Sequence, residues 1–256
     1  MENKVALVTG AGRGIGRAIA HGLAGCGHRV AVTARSRQEL DSLVRQITQA
    51  GGHAWAIADD LSDREALARI VSQVDDHWGP IAILVNNAGV GSSADPRSLV
   101  EFNDDFWDLT MEVNVTAPYR LIKLVGPSMI EQGWGRIINV ASIAGKVPGM
   151  HNSAYCVSKH AMLGLTKSAA MELIGHGITV NAICPGVTRS SMNDKRLEYD
   201  SQRLGLSLEE LEIQSTPLGR RLVPEEIAAL AVHLASDEAR AINGQCINVC
   251  GGSVMV

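Results

Sequence analysis

Apolar and polar positions fall along this chain in two kinds of block. Short apolar runs read as strands, and longer stretches with apolar residues three or four apart read as helices. Residues 4–9 (KVALVT) form the first short run and end in glycines. Residues 14–26 follow, with Ile15, Ile19 and Leu23 at helical spacing. Residues 29–33 read as a second strand. Ser36 and Glu39 have the S-x-x-E form of a capping box, which opens a helix to about Gln49. Residues 53–58 make a third strand, and Ser62 with Glu65 repeats the box ahead of a third helix. Residues 81–85 are almost wholly apolar, as a strand buried on both faces must be. Helices are expected over 104–111 and 113–132, a strand over 136–140, then a helix that carries Tyr155 and Lys159. Residues 178–183 read as the sixth strand. Residues 190–214 are polar and irregular, with room for one or two short helices. Pro224 suits the first turn of a helix to about Ala235, and residues 245–249 form the last strand.

Strand and helix alternate throughout. That order means βαβ units and an α/β fold, a doubly wound parallel sheet flanked by helices. No linker, low-complexity tract or internal repeat divides residues 1–256, so one domain is expected. The 256 residues are 46% hydrophobic and 20% charged, ample for a full core. A net charge of −4, with no run of basic residues, gives no reason to expect nucleic acid or an anionic membrane as partner. No apolar stretch is long enough to span a bilayer. Met1-Glu2-Asn3-Lys4 leads straight into a strand and does not read as a signal peptide. The cysteines Cys26, Cys156, Cys184, Cys246 and Cys250 are odd in number and lack a C-x-x-C pair. They read as reduced thiols, and the expected location is the cytoplasm. No His/Cys/Asp/Glu cluster has metal spacing, so no metal is expected in catalysis.

Two motifs carry chemistry. Thr9-Gly10-Ala11-Gly12-Arg13-Gly14-Ile15-Gly16 joins the first strand to the first helix. Glycines there let the backbone approach a pyrophosphate, and the helix N-terminus adds donors and a favourable dipole. The plain alternative is a tight turn without a ligand. Tyr155 and Lys159 stand four apart, so on a helix they leave the same face. A free tyrosine titrates near ~10. A lysine ammonium beside it favours the phenolate and pulls that value down. Such a phenol can give a proton to a carbonyl oxygen or take one from an alcohol.

Together these runs resemble a known family. T-G-x-x-x-G-x-G, Asn86-Asn87-Ala88-Gly89 after the fourth strand, and Y-x-x-x-K form the pattern of the short-chain dehydrogenase/reductases, and the resemblance covers the whole chain. It implies a Rossmann-type fold with Asn114, Ser142, Tyr155 and Lys159 as catalytic residues. Tyr155 would exchange the proton. Lys159 would tune it and bond the nicotinamide ribose. Ser142 would hold the substrate oxygen, and Asn114 would hold a water that relays protons to Lys159. Taken singly, Ser142 could be a helix cap and Asn114 could satisfy backbone in a kinked helix.

The same resemblance implies a dinucleotide on Gly10, Arg13, Gly14, Ile15 and Gly16. Asp60 and Leu61 would meet the adenine, and Asn87, Ala88 and Gly89 would pass along the adenosine ribose. Pro185, Gly186, Val187 and Thr188 would lie on the nicotinamide side, with Tyr155 and Lys159. NAD-preferring members end the second strand in an acid that binds the ribose hydroxyls. Ala34 stands there instead, followed by Arg35, with Arg13 in the glycine turn. Two guanidinium groups can bracket a 2′-phosphate, and Ser36 could add a hydroxyl, so NADP(H) is expected. The alternative is that both arginines are surface charges.

The pocket is expected from residues 143–152 and 90–95, under a lid of residues 190–214. His151 could line it, although a lone histidine is more often structural, and Cys156 is expected to pack. The stretch around Tyr155 and the end at residues 247–252 are similar to ketoreductases acting on 3-oxoacyl or polyketide carbonyls. The expected reaction is reduction of such a carbonyl. Alternatives are oxidation of a small secondary alcohol or hydroxy acid, and a non-catalytic dinucleotide-binding protein. The family and the apolar chain end (Ile247, Val249, Val254, Met255, Val256) imply a homotetramer.

Overall fold

The computed structural model describes residues 3–256, so the reading of Met1 and Glu2 lies outside the described residues. The seven apolar runs become the strands β1 (Val5–Thr9), β2 (Arg29–Ala34), β3 (His53–Ala58), β4 (Ile83–Asn86), β5 (Gly135–Val140), β6 (Ile178–Pro185) and β7 (Cys246–Val249). They form one parallel sheet in the order β3-β2-β1-β4-β5-β6-β7. β1 and β4 pair through Leu7 and Leu84, and from this central pair the chain winds outward to both sides. Every residue of β1, β4, β5 and β6 is buried, as strands covered on both faces must be.

Helices cover both faces. On one side lie α1 (Gly14–Gly25), α2 (Arg37–Gln49) and α9 (Pro224–Leu234). Their apolar stripes meet Val8, Val32 and Ile183 through Ile19, Leu23, Leu40 and Ile227. On the other lie α3 (Arg64–Trp78), α5 (Ala117–Gln132) and α6 (Ser153–Leu173), which bring Leu67, Leu121, Val125 and Ala169 against Leu7 and Leu84. Each such buried aliphatic side chain contributes about 1.5–3 kcal/mol relative to exposure.

Three local readings change. α3 is capped by Asp63, whose carboxylate accepts from the Glu65 N–H at 2.9 Å, and not by Ser62. Ser62 is held one residue earlier, because its N–H and hydroxyl both donate to Asp60 Oδ1 at 3.0 Å. The box at 36–39 is half formed. Ser36 accepts from the Glu39 N–H at 3.3 Å, but the Glu39 carboxylate turns elsewhere. Between α4 (Asp104–Met111) and α5, Glu112–Thr116 winds as a π-helical turn. Pro118 causes it in part. It has no N–H for the Asn114 carbonyl four residues back, so an α-helical ladder cannot close there. Residues 190–214 hold two helices, α7 (Ser191–Leu204) and α8 (Leu208–Gln214), where one or two were expected. Among the described residues no helix is long and apolar enough to cross a membrane.

Candidate active site

A cleft of about 710 Å³ opens where the strand order reverses, at the carboxyl ends of β1, β4, β5 and β6. The glycine turn and the Asn-Asn-Ala-Gly run are tied together at its floor. Thr9 Oγ1 accepts from the N–H of Asn87 (2.9 Å) and of Ala88 (3.1 Å) and donates to the Val85 carbonyl. Asn87 Nδ2 donates to the carbonyls of Thr9 (2.9 Å) and Gly10 (3.1 Å). Gly10 has φ +63°, and a Cβ there would stand 2.7 Å from the Ala88 Cα. Gly16 packs on Asn87 and on the Gly10 carbonyl. Asn87 therefore builds the turn with its amide, while Ala88 and Gly89 line the cleft beside it.

Gly14 and Ile15 begin α1 at the cleft wall. The preceding residue, Arg13, is extended and supplies no side-chain cap, and no acid stands in the first turn. A helix start left uncapped, uncrowded and glycine-lined suits a pyrophosphate. At the far end the cleft is lined by Ala34, Arg35, Ser36, Asp60 and Leu61. Among the described residues Arg35 makes no ion pair or hydrogen bond, so its guanidinium is available to an anion. Arg13 was expected to face the same spot from the glycine turn. It does line the cleft, but its Nη1 lies 3.8 Å from Glu39 Oε1.

At the opposite end stand Ser142, Tyr155 and Lys159. Ser142 follows β5 and caps a short 3₁₀ turn, accepting from the Ala144 N–H at 3.0 Å. Its hydroxyl also acts on the Tyr155 phenol, favouring the phenolate. Lys159 is 3% exposed, donates to the Val140 carbonyl at 2.9 Å and lies 5.5 Å from the Tyr155 ring centroid. The expectation of a lowered tyrosine pKa is overturned for the protein alone. Burial pushes the Tyr155 phenol up, more than Ser142 pulls it down. Burial also pulls Lys159 down to about 8. Both groups are desolvated together, and burial is the leading cause of each shift.

The Asn114 side chain is fully engaged. Its Oδ1 accepts from the Val90 N–H at 2.7 Å, and its Nδ2 donates to the Val90 carbonyl (3.0 Å) and to Ser158 Oγ (2.9 Å). A water would have to bind its main-chain carbonyl, which Pro118 leaves without an α-helical donor. Asn114 and Lys159 flank Gly89: a Cβ there would stand 3.3 Å from Asn114 Oδ1 and 3.6 Å from Lys159 Nζ. Pro185, Gly186, Val187 and Thr188 leave the end of β6 and line the cleft, with Thr188 Oγ1 donating to the Gly186 carbonyl at 2.9 Å.

The substrate half of the cleft is walled by Val90, Ser92, Ile143, Val147, Pro148 and Asn152, under Met192 and Arg196 of α7. His151 does not line it. His151 Nδ1 instead hydrogen-bonds Tyr199 Oη at 2.5 Å, outside the cavity. Sequence reasoning missed Arg196, Thr9 and Ser158. Thr9 had a signal, as the first letter of T-G-x-x-x-G-x-G; Arg196 had none. Its five N–H directions are all taken: by Asp200, by Ser92 Oγ, and by the carbonyls of Met150 and His151.

A doubly wound sheet, a glycine-lined helix start and a Ser–Tyr–Lys constellation at the switch point define a dinucleotide-dependent oxidoreductase. Residues 4–200 match the family described as short chain dehydrogenase, and this chain belongs to that family. It is 37% identical over 253 residues to the 3-oxoacyl-[acyl-carrier-protein] reductase FabG of Staphylococcus aureus, covering 98% of each chain. It is 36% identical over 263 residues to the D-beta-hydroxybutyrate dehydrogenase of Cupriavidus necator, covering 99% of each. The fold superposes with a TM-score of 0.93 on a point variant of the actinorhodin polyketide ketoreductase crystallised with NADPH. That protein is 36% identical, with 98% of this chain and 97% of that one covered.

Proposed function

We propose that this protein reduces a neutral ketone of the 3-oxoacyl or polyketide type with NADPH. One observation carries the reading: a half-buried Tyr155 that stands with Ser142 and Lys159 in the switch-point cleft, its phenol pushed toward the neutral form by desolvation. A phenol kept neutral is a proton donor, which suits reduction. NADPH supplies the hydride when bound, on Gly10, Gly14, Ile15 and Gly16, with Arg13, Arg35 and Ser36 at its 2′-phosphate. Asp60 and Leu61 border the adenine, Asn87, Ala88 and Gly89 the adenosine ribose, and Pro185, Gly186, Val187 and Thr188 the nicotinamide. Ser142 orients the carbonyl oxygen. Tyr155 gives that oxygen its proton. Lys159 holds positive charge beneath the phenolate and bonds the nicotinamide ribose. A water on the Asn114 carbonyl passes protons to Lys159.

The substrate is neutral because the two cations lining its half of the cleft among the described residues are engaged: Arg196 is already saturated, and Lys159 is buried and donates to the Val140 carbonyl. A small hydroxy acid, as in the alternative dehydrogenase reading, would bring a carboxylate with no free partner there. Residues 1–256 act as one domain, with residues 190–214 as the substrate cover. We read the assembly as a homotetramer, supported by the exposed apolar chain end at Met255 and Val256. All five cysteines are free, which suits the cytoplasm; recovery of the protein outside the cytoplasmic fraction rejects that location. The functional test is loss of nicotinamide absorbance with NADPH and a panel of 3-oxoacyl thioesters and cyclic ketones. Ketone-dependent oxidation of NADPH is expected. Turnover confined to NADP with alcohols rejects the reading.

A further inference from the structure

The half-formed capping box at residues 36–39 leaves a carboxylate unaccounted for. Glu39 has left the N-cap of α2 and leans on the glycine turn, where a Cβ on Gly12 would stand 2.5 Å from its Oε2. Its Oε1 lies 3.8 Å from Arg13 Nη1. The backbone beneath it is fastened, because Arg17 Nη1 donates to the carbonyls of both Gly12 (3.0 Å) and Glu39 (3.3 Å). Glu39 lines the same end of the cleft as Arg35 and Ser36. A negative charge thus stands within the group that would receive a phosphate dianion.

We propose that Glu39 sets the protein's selectivity for the 2′-phosphate. It holds Arg13 on the glycine turn and repels the incoming dianion, so two arginines discriminate less sharply between NADPH and NADH than they would alone. This inference rests on the NADPH reading. Arg35 supplies the attraction and Glu39 limits it. The charge pair is solvent-exposed, with side chains 68% and 39% accessible, so the effect is modest and sensitive to salt. An acid in the first turn of α2 also favours the helix dipole, and that role would change stability without changing ligand discrimination.

Calorimetric titration of the full chain with 2′,5′-ADP and with 5′-AMP separates the two roles. Glu39→Gln and Glu39→Ala are each expected to bind 2′,5′-ADP at least about threefold tighter than wild type. Their binding of 5′-AMP stays the same, and the gain shrinks at high salt. Glu39→Asp keeps the charge and stays near wild type. Unchanged or weaker binding of 2′,5′-ADP by both uncharged variants overturns the inference. Wild type that binds both nucleotides equally overturns the NADPH reading instead, and with it the premise.

Discussion

Tyr155 and Lys159 show how a correct pairing can hide its electrostatics. Their spacing gives away the partnership, but burial acts on both ends of it, raising the phenol and lowering the amine to about 8. Replacing Tyr155 with Phe removes the proposed proton donor and keeps the ring. Turnover should fall at least ~100-fold while NADPH affinity stays the same, as fluorescence titration would report. Lys159 has a second, thermodynamic signature. Its folded pKa lies below the ordinary 10.5, so between pH ~8 and ~10 the unfolded chain binds more protons than the folded one. Its burial penalty therefore fades as pH rises, and its contribution to stability increases across that window. Subtracting the melting curves of Lys159→Met from wild type over pH 8–10 isolates the effect; a difference that shrinks with pH contradicts it. Ser142, Tyr155 and Lys159 were legible because a fixed spacing marks them. Arg196 and the diverted Glu39 were not, since their partners lie on other segments and only folding brings them together.

At the scale of elements, apolar periodicity located every strand, and the misreadings came where a side chain chose another partner. Asp63 displaced Ser62 as a cap because Asp60 had already claimed the serine. The π turn at Asn114 was invisible to periodicity, although Pro118 four residues on was its cue. α7 gave the least sign of its role. Arg196 ties it to the turn before α6 through the Met150 and His151 carbonyls, and Tyr199 bonds His151 beside it. This fastening holds α7 over the cleft. Charge-assisted bonds are worth about 1.5–3 kcal/mol each. Arg196→Ala should therefore raise KM for the ketone ~10-fold and leave the NADPH dissociation constant unchanged. A variant with wild-type KM would show that α7 closes without this contact.

Over the whole molecule, the alternation of strands and helices was enough to foresee a doubly wound parallel sheet, and such sheets bind ligands where their winding reverses. The assembly is a different matter. Val256 folds back so that its carbonyl accepts from Lys146 at 3.0 Å, yet Met255 and Val256 remain 85% and 80% exposed. An apolar end held in place but uncovered fits a two-fold contact between copies, and light scattering should give a tetrameric mass; a monomer at micromolar concentration rejects it. The claim on which the account turns is that the cleft reduces a neutral carbonyl with NADPH. It is tested most directly by kcat/KM with NADPH for a 3-oxoacyl thioester and for the matching free 3-oxo acid. Because Arg196 is saturated and Lys159 is buried on the Val140 carbonyl, a carboxylate finds no exposed cation and the thioester should be preferred at least ~10-fold. An equal or greater kcat/KM for the free acid would contradict it.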